Sequence, residues 1–372
     1  MDEQGQTRPQ TSTRDYADVR ASLEQWLQDQ MPGARVSELL VPESNGMSSE
    51  TVLFTVDEGE KATNLVARIA PDPDSEPVFA DYDMEKQFKV MRLVADSTDV
   101  PVPNTRWLEL SADVLGVPFF VMDRVDGEVP PDVMPYTFGD NWFFDATAEQ
   151  QRQLQDSTIA AIAGVHSIPL GDETAFLDFA SPSPEGRLRD HLAALEDYYQ
   201  WTADQGLRSP LLERALTWLE EHRPKNPTKD VLLWGDARPG NILYKDFSPA
   251  AVLDWEMACL GPPEVDLAWT IFLHRFFQDL ATDLMGLPGL PDFMRLDDAA
   301  ATYERLTGTR PQNLEYYTAY AAIRHGVIMF RISQRQIRFG EAEPTEDPDS
   351  AILHANTIRR MLDGSYWSEV YA

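Results

Sequence analysis

The hydrophobic spacing of this chain changes character near Val125, and that change limits its fold more than any other feature. Before it, apolar residues recur mainly in the pattern of strands. Residues 36–41, TVLFTV (51–56), NLVARIA (64–70), RWLEL (106–110) and PFFVMDRV (118–125) read as strands, separated by turn-rich stretches such as ESNGMSSE and DEGEKAT. Their order suggests an antiparallel sheet. Two helical stretches interrupt it: 16–30, with Val19, Leu23, Trp26 and Leu27, and 79–96, with Met84, Phe88, Met91 and Ala95 on one stripe. After Val125 comes a Pro- and aromatic-rich stretch. Beyond residue 147 the helical patterns dominate, at 148–166, 186–205, 210–222, 264–282, 297–307, 314–338 and 350–364. A length of 372 residues favours two lobes. We expect a sheet-based lobe over 1–123, with a frayed start, and a larger helical lobe over 124–372. Strands segregated from helices in this way make an α+β chain, not an alternating α/β one.

A formal net charge of −31 repels phosphate backbones, which excludes nucleic acid as an expected partner and favours cationic ligands. Cys259 is the one cysteine, so an intrachain disulfide is impossible and a reducing compartment fits. The first residues, MDEQGQTRPQTSTRD, are polar and acidic, unlike a signal peptide, and no apolar run has the length to span a membrane. These features lead us to expect a cytoplasmic protein with no membrane partner.

The chemistry concentrates in WGDARPGNILYKDFSPAAVLDWE, residues 234–256. Ile242–Tyr244 and Ala251–Leu253 read as two short strands around a KDFSPA turn. A hairpin with its tip between Phe247 and Ser248 would set Asn241 opposite Asp254. An amide oxygen and a carboxylate, with water and phosphate oxygens, form the hard donor set that Mg²⁺ prefers. Asp236 lies five residues before Asn241 on the same loop, where it would orient a substrate hydroxyl and accept its proton. A base Asp, four residues, a metal-binding Asn and a later metal-binding Asp is the kinase arrangement. Arg238 would stabilise charge on the transferred phosphoryl group. Pro239 and Gly240 shape the turn. There is no Walker A sequence, which removes a P-loop reading.

GDARPGN, then VLDWE, then PEVDLAW together resemble the aminoglycoside phosphotransferase family, relatives of choline kinases and protein kinases. The resemblance covers most of the chain from about residue 36. It implies a protein-kinase-like two-lobed fold and Mg²⁺-dependent transfer of the ATP γ-phosphate to the hydroxyl of a small molecule. It implies Asp236 as catalytic base, Asn241 and Asp254 as metal ligands, and Asp266 as a brace of the catalytic region. The family usually has His before Gly-Asp, whereas Trp234 stands here, which bears on the rigidity of the loop. Kinases also place a lysine on the third strand, paired with a helix glutamate. In this chain Arg68 occupies that slot, and it is read as the α/β-phosphate ligand with Glu85 as its partner; Gln87 and Asp81 are the alternatives. Backbone groups of Met122, Asp123, Arg124 and Val125 would bind the adenine edge, as the equivalent linker does in the family.

Three further readings complete the sequence picture. The loop SNGMSSE, with Ser48 and Ser49, would either cover the phosphates or serve as a plain hairpin connection. The aromatic stretch PYTFGDNWFFD (135–145) would either wall a substrate site or pack against helices. His166 ends a helix and reads as structural. The alternative to an enzyme is a nucleotide-binding scaffold of the same fold with weak or lost catalysis, which Trp234 and Arg68 favour and the full Asp236/Asn241/Asp254 set opposes.

Overall fold

The computed structural model describes residues 14–42, 49–57, 59, 62–72, 75–204 and 206–370. Ser48 and Lys61 lie outside the described residues. The chain divides into two compact units. The first comprises residues 1–88, 104–124 and 331–344, the second residues 89–103, 125–330 and 345–372.

In the first unit, helix α1 (Tyr16–Gln30) starts at Asp15, whose carboxylate accepts the Ala17 N–H at 2.8 Å. It buries Val19, Leu23 and Leu27. The strands are β1 (Arg35–Val36), β2 (Glu50–Asp57) and β3 (Ala62–Ile69), then, after helix α2 (Met84–Ser97), β4 (Thr105–Glu109) and β5 (Phe119–Asp123). They form one antiparallel sheet in the order β1-β2-β3-β5-β4. Strand β2 alternates as its sequence predicts, with Val52, Phe54 and Val56 buried. Trp26 ties α1 to the sheet: its ring meets Phe119 edge-on at 4.9 Å and its indole donates to Glu109 at 2.9 Å. Helix α2 begins five residues later than its hydrophobic stripe suggested, because Asp83 caps it, Oδ1 accepting the Lys86 N–H at 2.7 Å.

The second unit is mainly helical. Helix α3 (Ala148–His166) opens on a reciprocal cap: Thr147 Oγ1 accepts from Gln150 N, and Gln150 Oε1 accepts from Thr147 N. Helix α4 (Arg187–Ala203) follows, then α5 (Pro210–Glu221), with Ser209 as cap and Pro210 at the first helical position. Two small antiparallel pairs come next: β6 (Val231–Leu233) with β9 (Cys259–Gly261), and β7 (Ile242–Lys245) with β8 (Ser248–Val252). Helices α6 (Glu264–Asp279), α7 (Leu296–Thr307), α8 (Leu314–Arg338), α9 (Ala355–Asp363) and α10 (Ser365–Val370) complete the chain. The pair β6/β9 was not foreseen, and the expected helix 350–364 is a short 3₁₀ turn followed by α9. A core that includes Leu192, Tyr199, Leu212, Phe272, Tyr317 and Phe330 joins these helices. The aromatic stretch 135–145 belongs to the packed interior: Tyr136 and Phe143 are buried, and Tyr136 meets Phe277 and Phe293 edge-on. Among the described residues no helix is long and apolar enough to cross a membrane.

Three buried histidines in this unit, His191, His274 and His354, direct Nε2 at the carbonyls of Leu260, Leu290 and Ala322. Burial, aided at His191 by the Arg324 charge and at His274 by Arg275, pulls their pKa values from 6.5 down to about 4, 3 and 4. The unfolded chain therefore binds protons that the folded chain refuses. Stability is complete above pH 6.5 and is lost as the pH falls towards 4. A shift of this size amounts to roughly 3 kcal/mol per histidine. Thermal melts should show the melting temperature falling steeply over that window. His354→Gln, which keeps a donor for Ala322, should flatten the fall; an unchanged slope would refute this account.

Candidate active site

Strand β6 leads into Trp234, and its partner β9 leads to the first turn of α6. Asp266, in that turn, is fully buried. Its carboxylate accepts the backbone N–H of Trp234 at 2.7 Å and of Gly235 at 2.9 Å. His166, the last residue of α3, lies 3.1 Å from the same carboxylate through Nε2, and 2.9 Å from the Tyr303 hydroxyl through Nδ1. The expected brace is thus a geometric fact, and His166 is part of it. Gly235 has φ +92°, and a Cβ there would stand 2.1 Å from the Met257 carbonyl oxygen, so both conformation and space demand glycine.

Asp236 comes next. Its Oδ1 accepts the Trp269 indole N–H at 2.5 Å, and its Oδ2 accepts the Asn241 amide at 2.6 Å. The Asn241 amide nitrogen also reaches the Asp236 carbonyl at 3.1 Å. With its N–H groups directed at Asp236, the amide leaves its oxygen as the hard donor. Arg238 Nε lies 3.3 Å from the Asp236 carboxylate, and its Nη1 pairs with Asp132. Burial alone would lower the proton affinity of this guanidinium, but the charges of Asp132 and Asp236 outweigh it and hold Arg238 above its ordinary value. The ion pair also crowds Gly240: a Cβ there would come within 2.4 Å of Arg238 Nη1 and 2.5 Å of Asp132 Oδ1, so one or both side-chain ends would have to shift. Pro239 opens the 3₁₀ turn Pro239–Asn241, where its missing N–H costs nothing.

The hairpin corrects one sequence expectation. Its tip is Asp246–Phe247, both at left-handed φ (51° and 59°), as a type I′ turn requires, so the tip falls one residue earlier than read. The register shifts between Leu243 and Tyr244, and at the mouth Ile242 faces Val252. Asn241 therefore faces Leu253, whose N–H donates to its carbonyl at 2.9 Å, and Asp254 follows as the next residue. Asp254 sits at φ +61°, a conformation that a non-glycine residue adopts at some cost and that recurs at functional sites. Trp234 secures this strand end: its buried indole donates to the carbonyls of Leu253 (2.9 Å) and Asp254 (3.2 Å). The tryptophan in the usual histidine position is itself a brace.

The donors expected for a cation are the Asn241 amide oxygen and the Asp254 carboxylate. Among the described residues no cluster of three or more His, Cys, Asp or Glu is arranged around a metal. Two protein oxygens completed by phosphate and water fit Mg²⁺, which keeps most of its shell outside the protein.

The remaining predicted residues lie mostly in the first unit. Arg68 on β3 is half-buried, faces Phe120 of β5, and donates to Thr51 of β2 at 2.9 Å. Glu85 is half-buried in the first turn of α2. Ser49 is buried, and its hydroxyl has no hydrogen bond among the described residues. Met122 and Asp123 end β5. The Asp123 N–H goes to the Asn104 carbonyl, and its carboxylate is held by Arg106 at 2.7 Å and Asn104 at 3.0 Å. The Arg124 N–H goes to Asn64, so these two linker donors are spent. Val125, half-buried, opens the long middle segment of the second unit.

Sequence reasoning missed Trp269, Asp132 and Arg324, which touch the loop. Trp269 lies three residues after Asp266 in VDLAW, hence on the same face of α6, and that spacing was a usable signal. Asp132, in a Pro-rich loop, gave none.

An antiparallel five-stranded sheet, a helical region and a loop that joins Asp236 to Asn241 define a kinase-like fold. Residues 40–306 match the phosphotransferase enzyme family, and the chain belongs to it. Acyl-CoA dehydrogenase family member 11 of Rattus norvegicus is 26% identical over 359 residues, covering 93% of this chain and 42% of the rat protein. The chain spans less than half the length of the curated relatives it matches. A crystal structure from Ralstonia eutropha, provisionally named an aminoglycoside phosphotransferase, superposes with a TM-score of 0.64 at 22% identity, covering 94% of this chain and 98% of that one. A thermostable variant of aminoglycoside phosphotransferase APH(4)-Ia, in a ternary complex with ADP and hygromycin B, gives 0.54 at 20% identity, covering 91% and 98%.

Gly235→Ala should melt far lower than wild type. Gly116→Ala, at φ +79° with nothing within 4 Å, carries the backbone strain without the clash and should cost only about 1–2 kcal/mol. Equal losses in the two variants would reject the steric argument.

Proposed function

We propose that the protein is a Mg²⁺-dependent kinase that transfers the γ-phosphoryl group of ATP to a hydroxyl of a small molecule. The observation that carries this reading is the 2.6 Å link between the Asp236 carboxylate and the Asn241 amide, with Asp254 beginning where the strand facing Asn241 ends. In the transfer, the acceptor oxygen forms a bond to the γ-phosphorus and the β–γ bridging bond breaks. The acceptor proton passes to Asp236, and ADP leaves. Asn241 Oδ1 and the Asp254 carboxylate would hold the cation, which when bound neutralises phosphate charge. Its placement between two carboxylates makes Arg238 an organiser of Asp236 as much as a stabiliser of phosphoryl charge. Arg68 with Glu85, and Ser49, are the proposed phosphate contacts of the first unit. The Met122–Val125 segment is the proposed adenine contact, with the Val125 N–H in place of the spent donors. The lobes 1–123 and 124–372 would divide nucleotide binding from chemistry.

Two observations bear on the acceptor. The curated relatives are named for acyl-CoA chemistry. Next to Asp132, which pairs with Arg238, Val133 and Met134 are exposed at 48% and 62%, an apolar surface beside the loop. Both favour a hydroxylated acyl compound over a polycationic aminoglycoside, although the hygromycin-bound neighbour keeps the latter in the test panel. A cytoplasmic location suits such a substrate and a chain with a single cysteine, Cys259.

The test is ADP production over a panel of hydroxyacyl compounds and aminoglycosides with MgATP. Asp236→Ala should lose transfer by at least 100-fold while still binding nucleotide. Asn241→Ala and Asp254→Ala should lose it with a raised Mg²⁺ requirement, and EDTA should abolish it. Full turnover in Asp236→Ala would reject the mechanism.

A further inference from the structure

Helix α6 contributes twice to the loop at 234–236. Asp266 fixes the backbone of Trp234 and Gly235, and Trp269, one turn later, touches the side chain of Asp236. Trp269 is only 3% exposed. The Arg324 guanidinium lies over its ring at 5.1 Å, Arg324 Nη1 reaches the Gly235 carbonyl at 3.5 Å, and His325 meets the ring edge-on at 6.1 Å. The indole is therefore clamped to the loop it serves, and its N–H points at Oδ1 of Asp236 from 2.5 Å.

The donor type matters. Asp236 already shares the Arg238 guanidinium with Asp132. A second cation on Oδ1 would quench the negative charge that must draw a proton from an alcohol. An indole N–H is a neutral donor that does not titrate near neutral pH. It fixes the plane of the carboxylate without cancelling its charge. With Oδ1 taken by Trp269 and Oδ2 by Asn241, the carboxylate has one orientation, and its remaining lone pairs have fixed directions.

We propose that Trp269 is a positioning residue for phosphoryl transfer, whose indole N–H locks the Asp236 carboxylate towards the acceptor hydroxyl. This rests on the reading of Asp236 as the base. A misaimed base costs rate and leaves nucleotide binding intact.

The experiment compares Trp269→Phe, Trp269→His and Asp236→Ala in the full chain, reading kcat, KM for ATP and the melting temperature. Trp269→Phe keeps an aromatic ring and removes the donor. Its kcat should fall about 10- to 100-fold, with KM for ATP within about twofold. Trp269→His, which retains a ring N–H, should recover part of the rate. Wild-type kcat in Trp269→Phe beside a dead Asp236→Ala would overturn the positioning role alone. Turnover retained in Asp236→Ala would overturn the base assignment beneath it. Should Trp269→Phe fail to fold, Trp269→Met, which also lacks the donor, takes its place: wild-type kcat would reject the proposal, and a loss of about 10- to 100-fold with KM for ATP unchanged would support it.

Discussion

The buried Asp266 carboxylate is the interaction on which the rest of the site depends. An unpaired charge with no solvent exposure would cost several kcal/mol. Here two backbone N–H groups and the His166 imidazole surround it, and it lies in the first turn of a helix, where the macrodipole favours negative charge. Such charge-assisted bonds are short and strong. Because the acceptor is buried and cannot move, Trp234 and Gly235 cannot move either. The left-handed turn at Gly235 follows, and with it the direction in which Asp236 leaves the backbone.

From that anchor the geometry spreads through two indoles. Trp269 rises from the same helix to meet Asp236, and Trp234 crosses to the carbonyls that flank the start of the Asp254 segment. Neutral donors thereby hold the Asp236 side chain and the carbonyls of Leu253 and Asp254. The charged contacts lie at the margin, where Asp132 and Asp236 share Arg238. The hairpin has separate support, since Gln153 and Ser157 of α3 hold the carbonyls of Asp246 and Phe247 at its tip. The hairpin tip and the Asp236 carboxylate are thus fixed by different bonds.

What was legible in the sequence was what repeats locally. Helices 16–30, 148–166 and 314–338 were read to the residue, because each carries a long apolar period, and the second also a capping pair. The β-rich start and the loop Asp236–Asn241 were equally visible. Strands β6 and β9 were not, since three apolar residues carry no period. The hairpin register was misread by one residue, because Phe247 takes a left-handed conformation that its side chain does not advertise and the register shifts again between Leu243 and Tyr244. The start of α2 was set by a cap and not by the stripe. Asp132 was invisible for a different reason: its partner lies 106 residues further along the chain, and only the fold joins them.

That partnership makes residues 132 and 240 a coupled pair. The space a methyl group would need at Gly240 is filled by the Asp132 carboxylate and the Arg238 guanidinium. A larger residue at 240 would have to push aside the ends of both side chains, and so would loosen the ion pair that holds Arg238 beside Asp236.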